Sequence, residues 1–346
     1  MTLRHLGYGI ALVLALVAPF FMYPVLLMKV LCFALFACAF NLLIGFTGLL
    51  SFGHAAFFGG AGYVAGHALK VWGLPFELGL LLATGVAAVL GLIMGGLAIR
   101  RQGIYFTMIT LALAQMLYFV ALQAPFTGGE DGLQGVPRGR LFGMFDLRND
   151  MTMYYVVLII AVAGFALITR IVHSPFGQVL RAIKENEPRA ISLGYQANRY
   201  KLLAFVLSAA LAGLAGATKT AVLGFETLTD VHWTMSGLVV LMTLVGGMGT
   251  LSGPVVGAIV ILALENKLGE FGRVLAELTS IEWFRSLGES VTIVTGLIFI
   301  VCVLAFRRGI VGECIALLAR LRRRGGEAMP QAGDVAGAQR QHPGGT

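Results

Sequence analysis

The block Val25–Ile44, VLLMKVLCFALFACAFNLLI, holds one charge, Lys29, and runs into Gly45-Phe46-Thr47-Gly48-Leu49-Leu50-Ser51 before apolar residues resume. About twenty apolar residues at ~1.5 Å rise each cover a hydrocarbon core of ~30 Å, so this block reads as a membrane span ended by a glycine break. Similar blocks recur at Leu6–Met22, Phe52–Leu69, Leu78–Ile99, Ile104–Gln123, Thr152–Val172, Leu202–Leu223 and Val291–Phe306. A further block, Gly237–Leu264, is interrupted by Gly246-Gly247-Met248-Gly249 and Gly253-Pro254, and is either two more crossings or one re-entrant hairpin. The expected fold is an all-α polytopic membrane protein with about 8–10 transmembrane helices and Gly-rich interrupted segments.

Composition supports this. Only 12% of the 346 residues are charged, 58% are hydrophobic, and the mean hydropathy is +0.86. Soluble domains carry about a quarter charged residues, so soluble enzymes and nucleic-acid-binding domains are excluded. The net charge of +8 sits in short clusters between apolar blocks, which makes it a topology signal and not a basic binding face. The first block follows Arg4 and resembles a signal peptide, but it ends in Phe20-Phe21-Met22-Tyr23-Pro24 without a small-residue cleavage site and is read as a retained span.

Basic residues stay on the cytoplasmic side of short loops. Arg100-Arg101, the segment Arg170–Lys201 with six basic and two acidic residues, and the tail from Arg307 all fall on one side when crossings are counted from a cytoplasmic N-terminus. The C-terminus is then cytoplasmic too. Residues 1–306 form the transmembrane body, 173–201 a cytoplasmic loop within it, and 307–346 a basic tail whose end, Gly325–Thr346, has the composition of a disordered segment. Small residues at four-residue spacing, Gly62/Gly66, Gly91/Gly95, Gly253/Gly257, Ala209/Gly213 and Ala212/Gly216, predict close helix packing.

Covalent chemistry is not encoded in any recognisable form. Gly213–Thr220 lacks the Walker pattern and a soluble strand before it, and Gly247-Met248-Gly249 lacks the third glycine of a dinucleotide loop. The histidines and the cysteines Cys32, Cys38, Cys302 and Cys314 have no metal-ligand spacing, and no Ser has a base partner in its span, so neither a metal site nor a catalytic residue is expected. Neutral polar residues remain. Asn41, Thr47, Ser51 and His54 cluster at the first break, Thr107, Thr110 and Gln115 share a helical spacing, and Thr243 and Ser252 flank the second break. They either line a translocation pathway or bond across helices. Gly45–Ser51 and Gly246–Ser252 share the pattern Gly-x-x-Gly-x-x-Ser, which either marks corresponding breaks in two halves of a transporter or recurs by chance in a Gly-rich chain. Carboxylates are not expected at membrane depth, and Lys29 and Lys219 lie near outer span ends, so coupling by an external motor is favoured over a proton relay.

Within 173–201, Pro188 suits a first helical turn and Gly194 a helix end, which predicts a short helix from Glu187 to Leu193 with an Ala-Ile-Leu ridge between charges. It is either a docking helix or a solvated loop.

Asn41–Gly59, Gly128-Gly129-Glu130-Asp131-Gly132-Leu133 and Arg181–Gly194 closely resemble the LivM-type permease of bacterial branched-chain amino-acid ABC importers, and Tyr200–Gly216 and Gly246–Gly257 fit the same family. The resemblance implies an ABC-importer permease of the bacterial inner membrane. Its implied partners are a second, LivH-like permease subunit, two cytoplasmic ATPases that use the ATP, and a periplasmic substrate-binding protein; it implies no cofactor on this chain and no nucleic acid. It also implies that Ser174–Gly194 is the ATPase-coupling loop, with Arg181, Glu185, Glu187, Arg189, Ala190 and Gly194 as its residues. Glu187-Pro188-Arg189-Ala190 departs from the Glu-x-Ala-Ala form common in that loop. A urea or small-amide permease is the alternative within the family, and a self-sufficient secondary transporter the alternative outside it.

Overall fold

The computed structural model describes residues 2–279, 296, 297, 300 and 309–313. The expected span Val291–Phe306, the tail 307–346, Cys302 and Cys314 lie outside the described residues wholly or for the most part.

The helices are α1 (Thr2–Val17), α2 (Pro24–Thr47), α3 (His54–Lys70), α4 (Phe76–Ala98), α5 (Ile104–Gln123), α6 (Asp150–His173), α7 (Pro175–Glu185), α8 (Glu187–Ser192), α9 (Ala197–Leu223), α10 (Leu228–Val231), α11 (Trp233–Gly246) and α12 (Gly253–Thr279). Among the described residues four two-residue strands supplement them. β1 (Leu133–Gln134) pairs antiparallel with β4 (Phe225–Glu226), and β2 (Arg140–Leu141) with β3 (Phe145–Asp146).

Among the described residues five helices, α2, α4, α5, α6 and α9, are long and apolar enough to cross a membrane. Their burial sorts them: the apolar window of α2 is 78% buried and that of α5 22%. A helix apolar on all sides is either in the core or against lipid, so α2 and α9 form the centre and α4, α5 and α6 the lipid-facing ring. α9 packs against α2, α3 and α4. The small-residue stripes make this possible: a Cβ on Gly91 would stand 2.5 Å from that of Ala209, and one on Gly216 would collide with the Phe58 carbonyl. Without a hydrophobic drive between helices in lipid, such backbone approach supplies the van der Waals contact that holds a bundle.

The structure differs from the sequence expectation in two places and adds detail to a third segment that the sequence left open. The first apolar helix is short, Gly9–Phe20, because Pro19 turns the chain into a 3-10 segment. Gly237–Leu264 is two helices packed closely through Gly246, Gly253 and Gly257, joined over residues 247–252. α11 has 14 residues and so measures about 21 Å, less than the ~30 Å core. Finally, 175–185, read as a loop, is α7: Ser174 caps it by accepting from the Gly177 amide, Pro175 opens it, and Gly177, Leu180 and Ile183 bury one face.

Candidate functional site

The break after α2 is where the polar residues converge. Gly48, at φ +76°, ends α2 in the left-handed region that glycine adopts without strain. The backbone leaving it is held by two threonines of α5. Thr107 of α5 donates to the Leu50 carbonyl (2.9 Å), and the Phe52 amide donates to Thr110 Oγ1 (3.3 Å). Ser51 is buried and accepts from the Gly53 amide, and Thr47 donates to the Leu43 carbonyl. His54 Nε2 pairs with Ser208 Oγ at 2.8 Å, and Ser208 donates to the Ala39 carbonyl, which joins α3, α9 and α2. Thr243 Oγ1 bonds Val239 O of its own helix and lies 3.4 Å from Ala37 O of α2. Gln115 and Ser252 are half-buried and have no side-chain hydrogen bond among the described residues.

Asn41 joins the two breaks. Its Nδ2 donates to the Thr250 carbonyl (2.8 Å) and its Oδ1 accepts from the Gly249 amide (2.9 Å). The side-chain amide thus replaces the backbone partners that the interrupted α11–α12 connection lacks. Gly45 makes room for this, since a Cβ there would sit 2.9 Å from the Gly249 nitrogen. The sequence placed Asn41 at a break but contains no local signal for a partner 208 positions away.

The loop 173–201 lies directly beneath. Lys184 Nζ donates to the Gly45 carbonyl (2.7 Å), and the Arg181 guanidinium stands 5.3 Å from the Phe46 ring centre. Burial holds the Lys184 ammonium below the usual lysine range, opposed in part by Glu185. Asn186 caps α8 by accepting from the Arg189 amide, Pro188 sits in its first turn, and Gly194 at φ +89° follows its end. Glu187 faces inward: its carboxylate is 2.6 Å from Lys201 Nζ and accepts from Gln102 Nε2 (3.1 Å). Ala190 also faces inward, against Ile183 and Ala197. The exposed ridge is therefore Ile191 and Leu193, with Arg181, Glu185 and Arg189 around it. The sequence had placed Ala190 on that ridge. Pro188 and the Asn186 cap rotate it under the segment instead.

At the opposite end of α9 the structure corrects the reading that buried carboxylates are missing. Lys219 Nζ is 2.5 Å from Asp230 Oδ2 and 3.3 Å from Glu226 Oε2, and Thr220 donates to the same Glu226 oxygen. Glu226 is 0% exposed and Asp230 4%. Both lie in a stretch that looks like a polar loop, but β4 pairs with β1 and α10 lies on α3, which folds them inward. Glu226 Oε1 and Tyr63 Oη are buried without a hydrogen-bond partner among the described residues. Among the described residues, no group of three or more His, Cys, Asp or Glu side chains could hold a metal ion.

Residues 23–304 match the family model for the permease component of branched-chain amino acid transport systems. The high-affinity branched-chain amino acid transport system permease protein LivM of Escherichia coli K12 is 28% identical over 254 residues, 67% of this chain and 60% of that protein. The probable branched-chain amino acid transport permease LivM of Methanocaldococcus jannaschii is 27% identical over 188 residues, 52% of this chain and 53% of that protein. The chain thus spans about 60% of the length of the E. coli relative. PsaBC from Streptococcus pneumoniae in complex with Fab is a weak structural match, 18% identical with a TM-score of 0.39, covering 82% of this chain and 92% of that one. With a family model that covers most of the chain, laid over a helical body of apolar spans, the protein is a multi-pass membrane protein that belongs to the branched-chain amino acid transport permease family.

Proposed function

We propose that this chain is the membrane-spanning subunit of an ATP-driven importer for branched-chain amino acids, lying in the bacterial inner membrane with both termini in the cytoplasm. The partners are a second permease subunit, two cytoplasmic ATPases and a periplasmic binding protein. The permease itself makes and breaks no covalent bonds and holds no cofactor.

The observation that supports coupling is the attachment of 175–192 to the first break. Lys184 grips the Gly45 carbonyl, and Asn41, one turn earlier, grips the second break. Glu187 and Lys201 tie the same segment to the start of α9. A partner that moves α7 and α8 as a unit would pull on α2 and α9 together, and through Asn41 on the α11–α12 connection. ATP binding to the partner then biases one of two packings of the breaks, and the solute pathway changes the side it faces. The exposed Ile191–Leu193 ridge, ringed by Arg181, Glu185 and Arg189, is the surface such a partner would hold.

The test is co-purification from the native host of wild type and of a variant with Arg181–Gly194 scrambled, followed by leucine uptake in proteoliposomes. An ATPase recovered with wild type alone, and uptake that requires ATP, supports the reading. Uptake by the purified chain without any ATPase would replace it with a secondary transporter, and ATP-driven uptake of urea instead of leucine would replace the solute.

A further inference from the structure

A cavity of about 380 Å³ opens at the end of the bundle opposite α7 and α8, between the start of α2, the end of α9 and the middle of α12. Its walls include Val25 and Leu26 of α2, Leu223 of α9 and Leu262 of α12, and its two charged groups are Lys29 and Glu265. The volume lies in the range of small-molecule sites, about 300–1000 Å³, and an apolar wall with a few polar groups is their usual make-up. The charges have not closed on each other: no N···O contact within 4.0 Å joins Lys29 to Glu265 among the described residues, although Lys219, Glu226 and Asp230 nearby are paired. The Lys29 ammonium stands 5.8 Å from the face of Phe33 and acts on Glu265 across the cavity without touching it. Charges held against an apolar wall are costly unless a ligand or partner uses them.

We propose that this cavity is a recognition site for a zwitterionic aliphatic amino acid, with Lys29 taking the α-carboxylate, Glu265 the α-ammonium, and Val25, Leu26, Leu223 and Leu262 the side chain. This rests on the importer reading above and adds a position and named contacts. A free amine satisfies only Glu265 and a free acid only Lys29, and each leaves the other charge unpaired, so both fragments bind poorly. A zwitterionic lipid headgroup carries the same pair of charges and is the competing source of that chemistry.

The experiment uses the assembled transporter in vesicles of phosphatidylglycerol and cardiolipin, which carry no zwitterionic headgroup, with Val25→Cys as reporter and Leu26→Cys as a second reporter should the first fail to assemble. Modification of the new thiol by a membrane-impermeant thiosulfonate is timed with and without leucine. Leucine at about ten times its Kd should slow modification about tenfold, while 4-methylpentanoate and isopentylamine should not, and Lys29→Met or Glu265→Gln should remove the protection. The same two variants, without the reporter, should raise the apparent KM for leucine uptake about tenfold. Protection without ATP-driven uptake would support the site while removing the importer reading. ATP-driven leucine uptake with no protection at either reporter would overturn the site and leave the importer reading standing. Protection that appears only with added phosphatidylethanolamine, and not with leucine, would also overturn it.

Discussion

The two ends of α9 each hold an ion pair, and they are built differently. At the N-terminal end Lys201 binds Glu187, whose segment otherwise lies open, with Arg181, Glu185, Arg189, Ile191 and Leu193 exposed. At the C-terminal end Lys219 sits among Asp230, Glu226, Thr220 and the rings of Phe58 and Phe225, nearly out of solvent. Removing one member of a fully buried set leaves an uncompensated charge at a cost of about 3–5 kcal/mol; Lys201 is buried as well, but Glu187 keeps part of its carboxylate in solvent, so loss of that pair falls between this and the about 0–1 kcal/mol of a surface pair. The first arrangement, with the partly exposed Glu187 on an otherwise open segment, is the easier of the two for a partner to shift. The second fixes the outer connection onto α3, so that motion applied at one end of α9 meets a firm anchor at the other.

The sharpest way to break this contrast is to remove the outer cation. Lys219→Met should destabilise the protein by about 3–5 kcal/mol, read as a large drop in detergent melting temperature, and adding Asp230→Asn and Glu226→Gln should restore part of it. A loss no greater than that of Glu187→Gln would show that the two ends do not differ. Next in size, Asn41→Ala leaves the Gly249 amide and the Thr250 carbonyl unpaired and should cost about 1–3 kcal/mol, with faster proteolysis at residues 247–252 as the local readout. Glu187→Lys sets a second cation against the buried Lys201 and should cost about 1–3 kcal/mol, less than Lys219→Met, while uncoupling ATP hydrolysis from uptake; Gly194→Pro, which fixes φ near −65° where the native value is +89° and removes the amide that donates to the Ile191 carbonyl, should uncouple as well. Preserved uptake by both would deny the α8 segment its coupling role.

The smallest effect concerns pH. Lys184 has its pKa lowered in the folded protein, so the unfolded chain binds more protons just below the ordinary lysine range. Stability contributed by this group should therefore rise with pH in that window and be lost as pH falls through the folded value. Lys184→Gln should flatten that slope in urea titrations at alkaline pH.

Much of the fold was legible because its signals are local. The α5 boundaries, Ile104–Gln123, coincide with the apolar block, and α2 ends three residues past its block. The left-handed Gly194 and the polar residues near Ser51 also announce themselves in short windows. α7 was missed because its apolar face, Gly177, Leu180 and Ile183, is too narrow to stand out among charges in a segment that looks like a topology loop. The Asn41 contacts and the burial of Glu226 and Asp230 depend on tertiary approach across α2, α3 and α9, and no window of sequence carries that. The same holds for Lys29 and Glu265, which are 236 positions apart and line one cavity only because α2 and α12 pack together.

The most direct single measurement is the ratio of leucine imported to ATP hydrolysed by the reconstituted transporter, for wild type and for Lys184→Met. Loss of the bond to the Gly45 carbonyl should leave hydrolysis near the wild-type rate while uptake falls about tenfold. An unchanged ratio, with uptake and hydrolysis both intact or both reduced together, would show that motion of α7 does not reach the break through Lys184.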